Sequence, residues 1–348
     1  MYQLPQKVKD LVPYEPIFGD YKIRLDVNEL PVNLSDATRQ KIADKLMQIE
    51  FNRYPDPLAT ELIEAFADFY GISPNLVTAG NGSDELIFLI EAALLNSGDK
   101  ILVCNPDFSM YAFNANVTGL QAVVYQKNDL QINIDELIAF AKSENVSAIV
   151  FSNPCNPTGI GLKADDVRKL ITSVEVLVIA DEAYMDFWDE SLLPQVENYD
   201  NLIILKTASK LFGAAAMRLG FAVANKTITN ALRSVKSPYN VNSLSQAFGT
   251  IVFGQKAEVM QNLSKVKAGI KLLQDKFCEF AATRPNMRVY PTAANFIFIK
   301  TDEGEQIASF LLEKSIVVRK FADHLRICCG TEQENAQLIA AMEEYYNS

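Results

Sequence analysis

The middle of the chain alternates apolar, Val- and Ile-rich runs with amphipathic runs, and this rhythm restricts the fold more than any other feature. The apolar runs are 101–104, 148–152, 176–180, 202–206 and 219–224. Each is apolar on both faces, as expected of strands buried within a mainly parallel sheet. The runs at 84–95, 164–172, 227–235 and 243–253 carry helical periodicity. Strands alternating with helices predict an α/β layered domain. After Gly254 the pattern changes to a long helical run near 257–281, then short strands at 287–290, 295–299, 316–319 and 325–328, with helices at 304–314 and 332–346. That reads as a smaller α+β domain, completed by the N-terminal segment. A length of 348 residues suits two domains around one cleft. The expected division is an N-terminal segment 1–40 that joins the small domain, a large domain 41–250 and a small C-terminal domain 251–348. No internal repeat or low-complexity tract is visible.

Composition narrows the function classes. The net charge of -11 disfavours nucleic acid and anionic lipid as partners. The N-terminus has no signal-peptide core, and no apolar run reaches membrane-spanning length. Five cysteines, Cys104, Cys155, Cys278, Cys328 and Cys329, form no CxxC pair and read as reduced core thiols of a cytoplasmic protein. The only histidine, His324, reads as a loop residue; a Ser-His-Asp hydrolase or a His-rich metal site does not fit.

Five motifs fall at strand ends or loops, where open α/β sheets bind ligands. Gly80-Asn81-Gly82-Ser83-Asp84-Glu85 opens a helix whose free N–H groups suit a phosphate, or it is a plain turn with Ser83 or Asp84 as N-cap. Glu85 stands where a dinucleotide fingerprint needs glycine. Asn153-Pro154-Cys155-Asn156-Pro157-Thr158-Gly159 pins Asn156 between prolines after a strand, either as a fixed amide or as part of an ordinary rigid turn. Asp181-Glu182-Ala183-Tyr184 follows an apolar strand; a buried carboxylate there needs a partner such as a heterocyclic N–H⁺, whereas an exposed one would merely cap a turn. Thr207-Ala208-Ser209-Lys210-Leu211-Phe212 sets Lys210 among apolar and small residues, where partial burial favours the amine nucleophile over a solvated loop lysine. Arg218 is an anion-holding candidate or a surface ion pair. An amine, a carboxylate facing a ring nitrogen, a donor pair and a phosphate cradle are together what pyridoxal phosphate requires.

In order and spacing these motifs resemble those of the fold-type I aminotransferases, and within them the histidinol-phosphate aminotransferase family. The resemblance runs from Val12-Pro13-Tyr14 and Asn28-Glu29 through Asn52-Arg53-Tyr54-Pro55 to Leu325-Arg326-Ile327. It implies a large domain with a seven-stranded, mainly parallel sheet between helices. It implies that Lys210 carries pyridoxal 5'-phosphate as a Schiff base and moves the substrate proton. Asp181 then pairs with the pyridine nitrogen, Asn156 and Tyr184 bond the phenolic oxygen, and Phe108 stacks on the ring, where the family often has Tyr. The phosphate falls to Gly82, Ser83, Asp84, Ser209 and Arg218, with Thr207 as a weaker addition. Tyr54 reaches the neighbouring subunit's cofactor, which implies a homodimer with shared sites.

The family usually shows Ala-Gly-x-Arg before the phosphate-binding arginine; here Ala216 replaces the glycine. If that site needs positive φ, alanine costs about 1 kcal/mol. Arg326 matches the family's substrate-anion arginine, Arg319 is a second anion contact or a surface charge, and Tyr14 is the substrate-lid candidate. The implied reaction moves an amino group from a histidinol phosphate-like donor or an amino acid to 2-oxoglutarate. Alternatives are an aromatic or other amino-acid aminotransferase, a threonine-phosphate-type decarboxylase, and a non-catalytic cofactor-binding regulatory subunit.

Overall fold

The computed structural model describes residues 2–9, 11 and 17–347. The strands are β1 (Ile23–Leu25), β2 (Val77–Asn81), β3 (Lys100–Asn105), β4 (Gln121–Gln126), β5 (Ala148–Ser152) and β6 (Leu177–Asp181). They continue as β7 (Leu202–Thr207), β8 (Leu219–Ala224), β9 (Arg288–Val289), β10 (Phe296–Lys300), β11 (Ile316–Phe321) and β12 (His324–Cys328). Seven form a sheet in the order β2-β8-β7-β6-β5-β3-β4, and five form a second sheet in the order β1-β11-β12-β10-β9.

The inner strands of the large sheet are buried on both faces because they are apolar at nearly every position. Leu102, Ile149, Phe151, Val178, Ala180 and Ile204 point into one core, and Ile101, Ala148, Val150, Ile179, Ile203 and Leu205 into another on the opposite face. Successive side chains alternate between faces, so an unbroken apolar run supplies both. Helices Ser83–Ala93 and Met110–Thr118 cover one face through Leu86, Ile87, Ile90, Tyr111 and Ala115. Helices Thr60–Tyr70, Ile134–Glu144 and Ala164–Ser173 cover the other. Each fully buried aliphatic side chain contributes about 1.5–3 kcal/mol.

The expected strands 148–152 and 219–224 coincide with β5 and β8, and the others shift by a residue or two. Three strands carry no strong apolar run and escape the sequence reading. They are β1, the glycine-containing β2, and β4 at the sheet edge, largely exposed. β8 runs antiparallel to both β7 and β2. Burial on both faces therefore did not require parallel pairing there. β1, near the N-terminus, pairs parallel with β11 in the small sheet, Ile23 opposite Ile316.

Two local expectations change. His324 opens β12, stacked on Phe298 with ring centroids 4.7 Å apart, because its ring completes an aromatic layer that a loop could not hold in register. Four cysteines are buried as expected, but Cys278 is exposed on helix Lys256–Ala282.

Candidate active site

The strand order gathers the motifs along one edge. β2, β7, β6, β5 and β3 all end on the same side of the sheet, since β2 and β7 are each antiparallel to β8. Gly82, Phe108, Asn156, Asp181 with Tyr184, and Ser209-Lys210 follow or end these five strands, and Arg218 precedes β8 on that edge. Crossover connections make this unavoidable: each parallel strand must start from the far edge, so its loop returns here.

Gly82 starts helix Ser83–Ala93 at φ 85°, with no side chain capping the helix. Neither Ser83 nor Asp84 is the N-cap. The first-turn N–H groups are thus left for a ligand. Arg218 donates from Nη2 to Asp84 Oδ2 at 3.0 Å across the turn. A Cβ on Gly82 would fall 2.8 Å from that Nη2, and a Cβ on Gly220 would fall 2.2 Å from the Ser83 nitrogen. The two glycines therefore keep a cradle open between β2 and β8. In this loop Gly213 and Arg218 take positive φ, 60° and 51°, and Ala216 does not. The strain feared at Ala216 does not arise. Ser209 N–H donates to Thr207 Oγ1 at 3.1 Å, which folds the strand end toward the same cradle.

Asp181 is the last residue of β6, buried, in register with Ser152 and Leu205. Tyr111 donates to its Oδ2 at 2.8 Å and the Ala183 N–H to its Oδ1 at 3.0 Å. Both partners are neutral. Burial pushes the carboxyl up to about 6, against the pull of the Tyr111 hydrogen bond. An N–H⁺ beside it would restore the ionised form.

The Lys210 amine donates to the carbonyls of Val27 at 3.4 Å and Asn28 at 3.2 Å, and lies 5.6 Å from the Tyr184 ring centre. Tyr184 Oη accepts from Asn28 Nδ2 at 2.7 Å. Arg326 reaches across from β12: Nη1 donates to Asn156 Oδ1 and Nη2 to the Asp26 carbonyl at 2.6 Å. Its Nε is buried without a partner among the described residues. Asn156 is held from below, its N–H donating to Ser152 Oγ, which in turn donates to Asp107. Asp107 pairs with Lys127 at 3.2 Å, both side chains about 1% exposed. Phe108 meets Tyr111 edge-on, with centroids 5.5 Å apart.

Arg319 stands directly opposite Arg326 in the β11–β12 register. Tyr54 lies apart from the cluster, 80% exposed and stacked on Tyr239. Tyr14 lies outside the described residues. The sequence reading gave no role to Asn28, Tyr111 or Asp107. Their signal was only position: Asn28 belongs to the N-terminal motif, and Asp107 and Tyr111 flank Phe108.

A cradle at a helix start, a buried carboxylate with neutral partners, and an amine that meets only carbonyls fit the phosphate, ring nitrogen and aldehyde of one cofactor. The family model for aminotransferase class I and II matches residues 20–342, so fold and site define an aminotransferase of that class. The histidinol-phosphate aminotransferase of Clostridium novyi strain NT is 38% identical over 338 residues, covering 95% of this chain and 94% of that one. The corresponding enzyme of Pyrococcus furiosus is 35% identical, covering 98% and 97%. The chain belongs to the histidinol-phosphate aminotransferase family and is a pyridoxal-phosphate-dependent transaminase. The crystal structure of the Sinorhizobium meliloti histidinol-phosphate aminotransferase with pyridoxal-5'-phosphate superposes with a TM-score of 0.88 at 19% identity, covering 99% of this chain and 97% of that one.

Proposed function

We propose that this transaminase takes the amino group of histidinol phosphate, with 2-oxoglutarate as acceptor. The observation that carries this is the pairing of Arg319 with Arg326 across β11 and β12. Cross-strand partners share a face, so the register sets both guanidiniums on the same side of the small sheet. An α-carboxylate needs one guanidinium; a phosphate dianion is better matched by two. Arg326 also touches Asn156 on the cofactor side, which ties the anion to the reacting end of the substrate.

The bound cofactor supplies an electron sink for the charge left when the substrate α-carbon loses its proton. Lys210 is assigned as the residue that holds the cofactor and carries that proton. Asp181 keeps the ring nitrogen protonated, and Tyr111 holds Asp181 in place. Asn156 and Tyr184 donate to the phenolic oxygen, and Phe108 packs on the ring. The N–H groups of Ser83 and Asp84, with Gly82, Thr207, Ser209 and Arg218, receive the phosphate. Tyr14 is the substrate-lid candidate.

We further infer a cytoplasmic homodimer in which Tyr54 serves the partner copy's site. Exposed Met47, Phe51, Tyr54 and Leu58 support the dimer, beside an open groove of about 750 Å³ lined by Ile49, Phe51, Tyr54 and Tyr239. No described helix is long and apolar enough to cross a membrane.

A donor panel with 2-oxoglutarate tests the substrate. Histidinol phosphate should exceed phenylalanine, tyrosine and leucine in kcat/KM by at least about tenfold, a difference of 1.4 kcal/mol. Arg319→Gln should raise KM for histidinol phosphate and leave the amino acids nearly unchanged. Equal turnover of all donors would overturn the assignment.

A further inference from the structure

Segment 26–28 crosses the site, and its last residue is tied to it at four points. Asn28 is 2% exposed and adopts φ 57°, a left-handed conformation that asparagine tolerates better than most residues. Its carbonyl accepts from Lys210 Nζ at 3.2 Å and from Asn295 Nδ2 at 3.3 Å. Its N–H donates to Cys328 Sγ at 3.0 Å, and the Cys328 S–H donates to Asn28 Oδ1 at 3.0 Å. Its Nδ2 donates to Tyr184 Oη at 2.7 Å.

These contacts have a direction. Burial pushes the Cys328 thiol up to about 11, despite nearby Arg326 and Lys210, so at neutral pH it carries its proton. A protonated thiol at Oδ1 fixes which end of the amide faces it, and the NH₂ end must face the phenol. A phenol oxygen that accepts from Asn28 turns its own hydrogen elsewhere. Charged groups around the relay are Lys210, Arg326 and Asp26.

We propose that Asn28, oriented by Cys328, is a positioning residue that fixes the Tyr184 hydroxyl as a donor toward the cofactor's phenolic oxygen; this rests on the reading that Tyr184 faces that oxygen. Removing the Asn28 amide frees the phenol to rotate and withdraws a donor from the phenolate. More negative charge then stays beside the cofactor-bound nitrogen and favours its protonated form.

The test uses holoenzyme and follows the visible absorbance band against pH. Asn28→Gly keeps the left-handed backbone and removes the amide. Its midpoint should rise by about one unit, a tenfold change in the protonation equilibrium. kcat should fall while KM for 2-oxoglutarate changes little. Cys328→Ser retains a donor and an acceptor and should restore the native midpoint, whereas Cys328→Val should shift it upward. Borohydride fixation in the same samples separates two failures. Label on Lys210 with an unmoved midpoint in Asn28→Gly overturns the relay; label on another lysine overturns the site assignment and the relay with it. Should Asn28→Gly not fold, identical midpoints in Cys328→Val and Cys328→Ser overturn the proposal.

Discussion

At the buried carboxyls the surroundings decide where charge appears. Asp181 sits near 6 because burial outweighs its two neutral hydrogen bonds. Cofactor affinity should therefore rise between pH 5 and 7.5, as Asp181 ionises and can meet a ring N–H⁺. A fluorescence or absorbance titration checks this, and Asp181→Asn should flatten the difference. Glu91 is shifted in the same direction by the same cause. It is 1% exposed, neither oxygen has a partner among the described residues, and desolvation raises it to about 8. The unfolded chain releases that proton near the usual glutamate value of about 4.3, so between there and pH 8 the native state binds more protons. The Glu91 contribution to stability is complete at low pH and is lost as pH rises through the folded value. Glu91→Gln should be neutral at pH 5 and stabilise by roughly 2–4 kcal/mol at pH 9, read from urea midpoints. A gain of equal size at both pH values would refute the burial argument.

Elements bring these residues to one place through their ends. The turn between β2 and helix Ser83–Ala93 depends on Gly82 for two reasons, its φ of 85° and the 2.8 Å that a Cβ would leave to Arg218. Gly82→Ala should weaken cofactor binding at least about tenfold and cost the fold about 1 kcal/mol. Equilibrium dialysis against pyridoxal phosphate measures the first and thermal melting of cofactor-free protein the second. Unchanged affinity would move the phosphate elsewhere. At the carboxyl end of β6, Lys206 pairs with Asp186 at 2.8 Å and lies 3.9 Å from Glu182. This buried pair ties β7 to the loop that carries Tyr184. Breaking it with Lys206→Met leaves two buried carboxylates facing each other and should destabilise by about 3–5 kcal/mol. A denaturation midpoint close to the native one would show that the pair is dispensable.

At the scale of the molecule, the site is built from both sheets. Arg326 on β12 reaches Asn156 beyond β5, and the segment after β1 meets Lys210 and Tyr184. Movement of the small sheet against the large one would therefore be felt at Asn156, Lys210 and Tyr184. Tyr54 reaches none of this within its own chain. If sites are shared between copies, Tyr54→Phe and Lys210→Ala subunits, each defective, should give partly active hybrids on mixing. An absence of rescue would leave Tyr54 without a part in catalysis.

Sequence alone determined the α/β core, because runs such as 148–151 are apolar at every position and a two-sided sheet buries them. It also singled out Lys210, Asp181, Asn156 and Arg218 by position: Asp181 ends such a run, Asn156 and Lys210 follow one, and Arg218 precedes one. Only the tertiary structure decided the direction of β8, the strand role of His324 and the relay through Asn28. Those depend on contacts between residues as far apart as Asn28 and Cys328. A local pattern reports which face of an element is buried; it cannot report which distant element will do the burying.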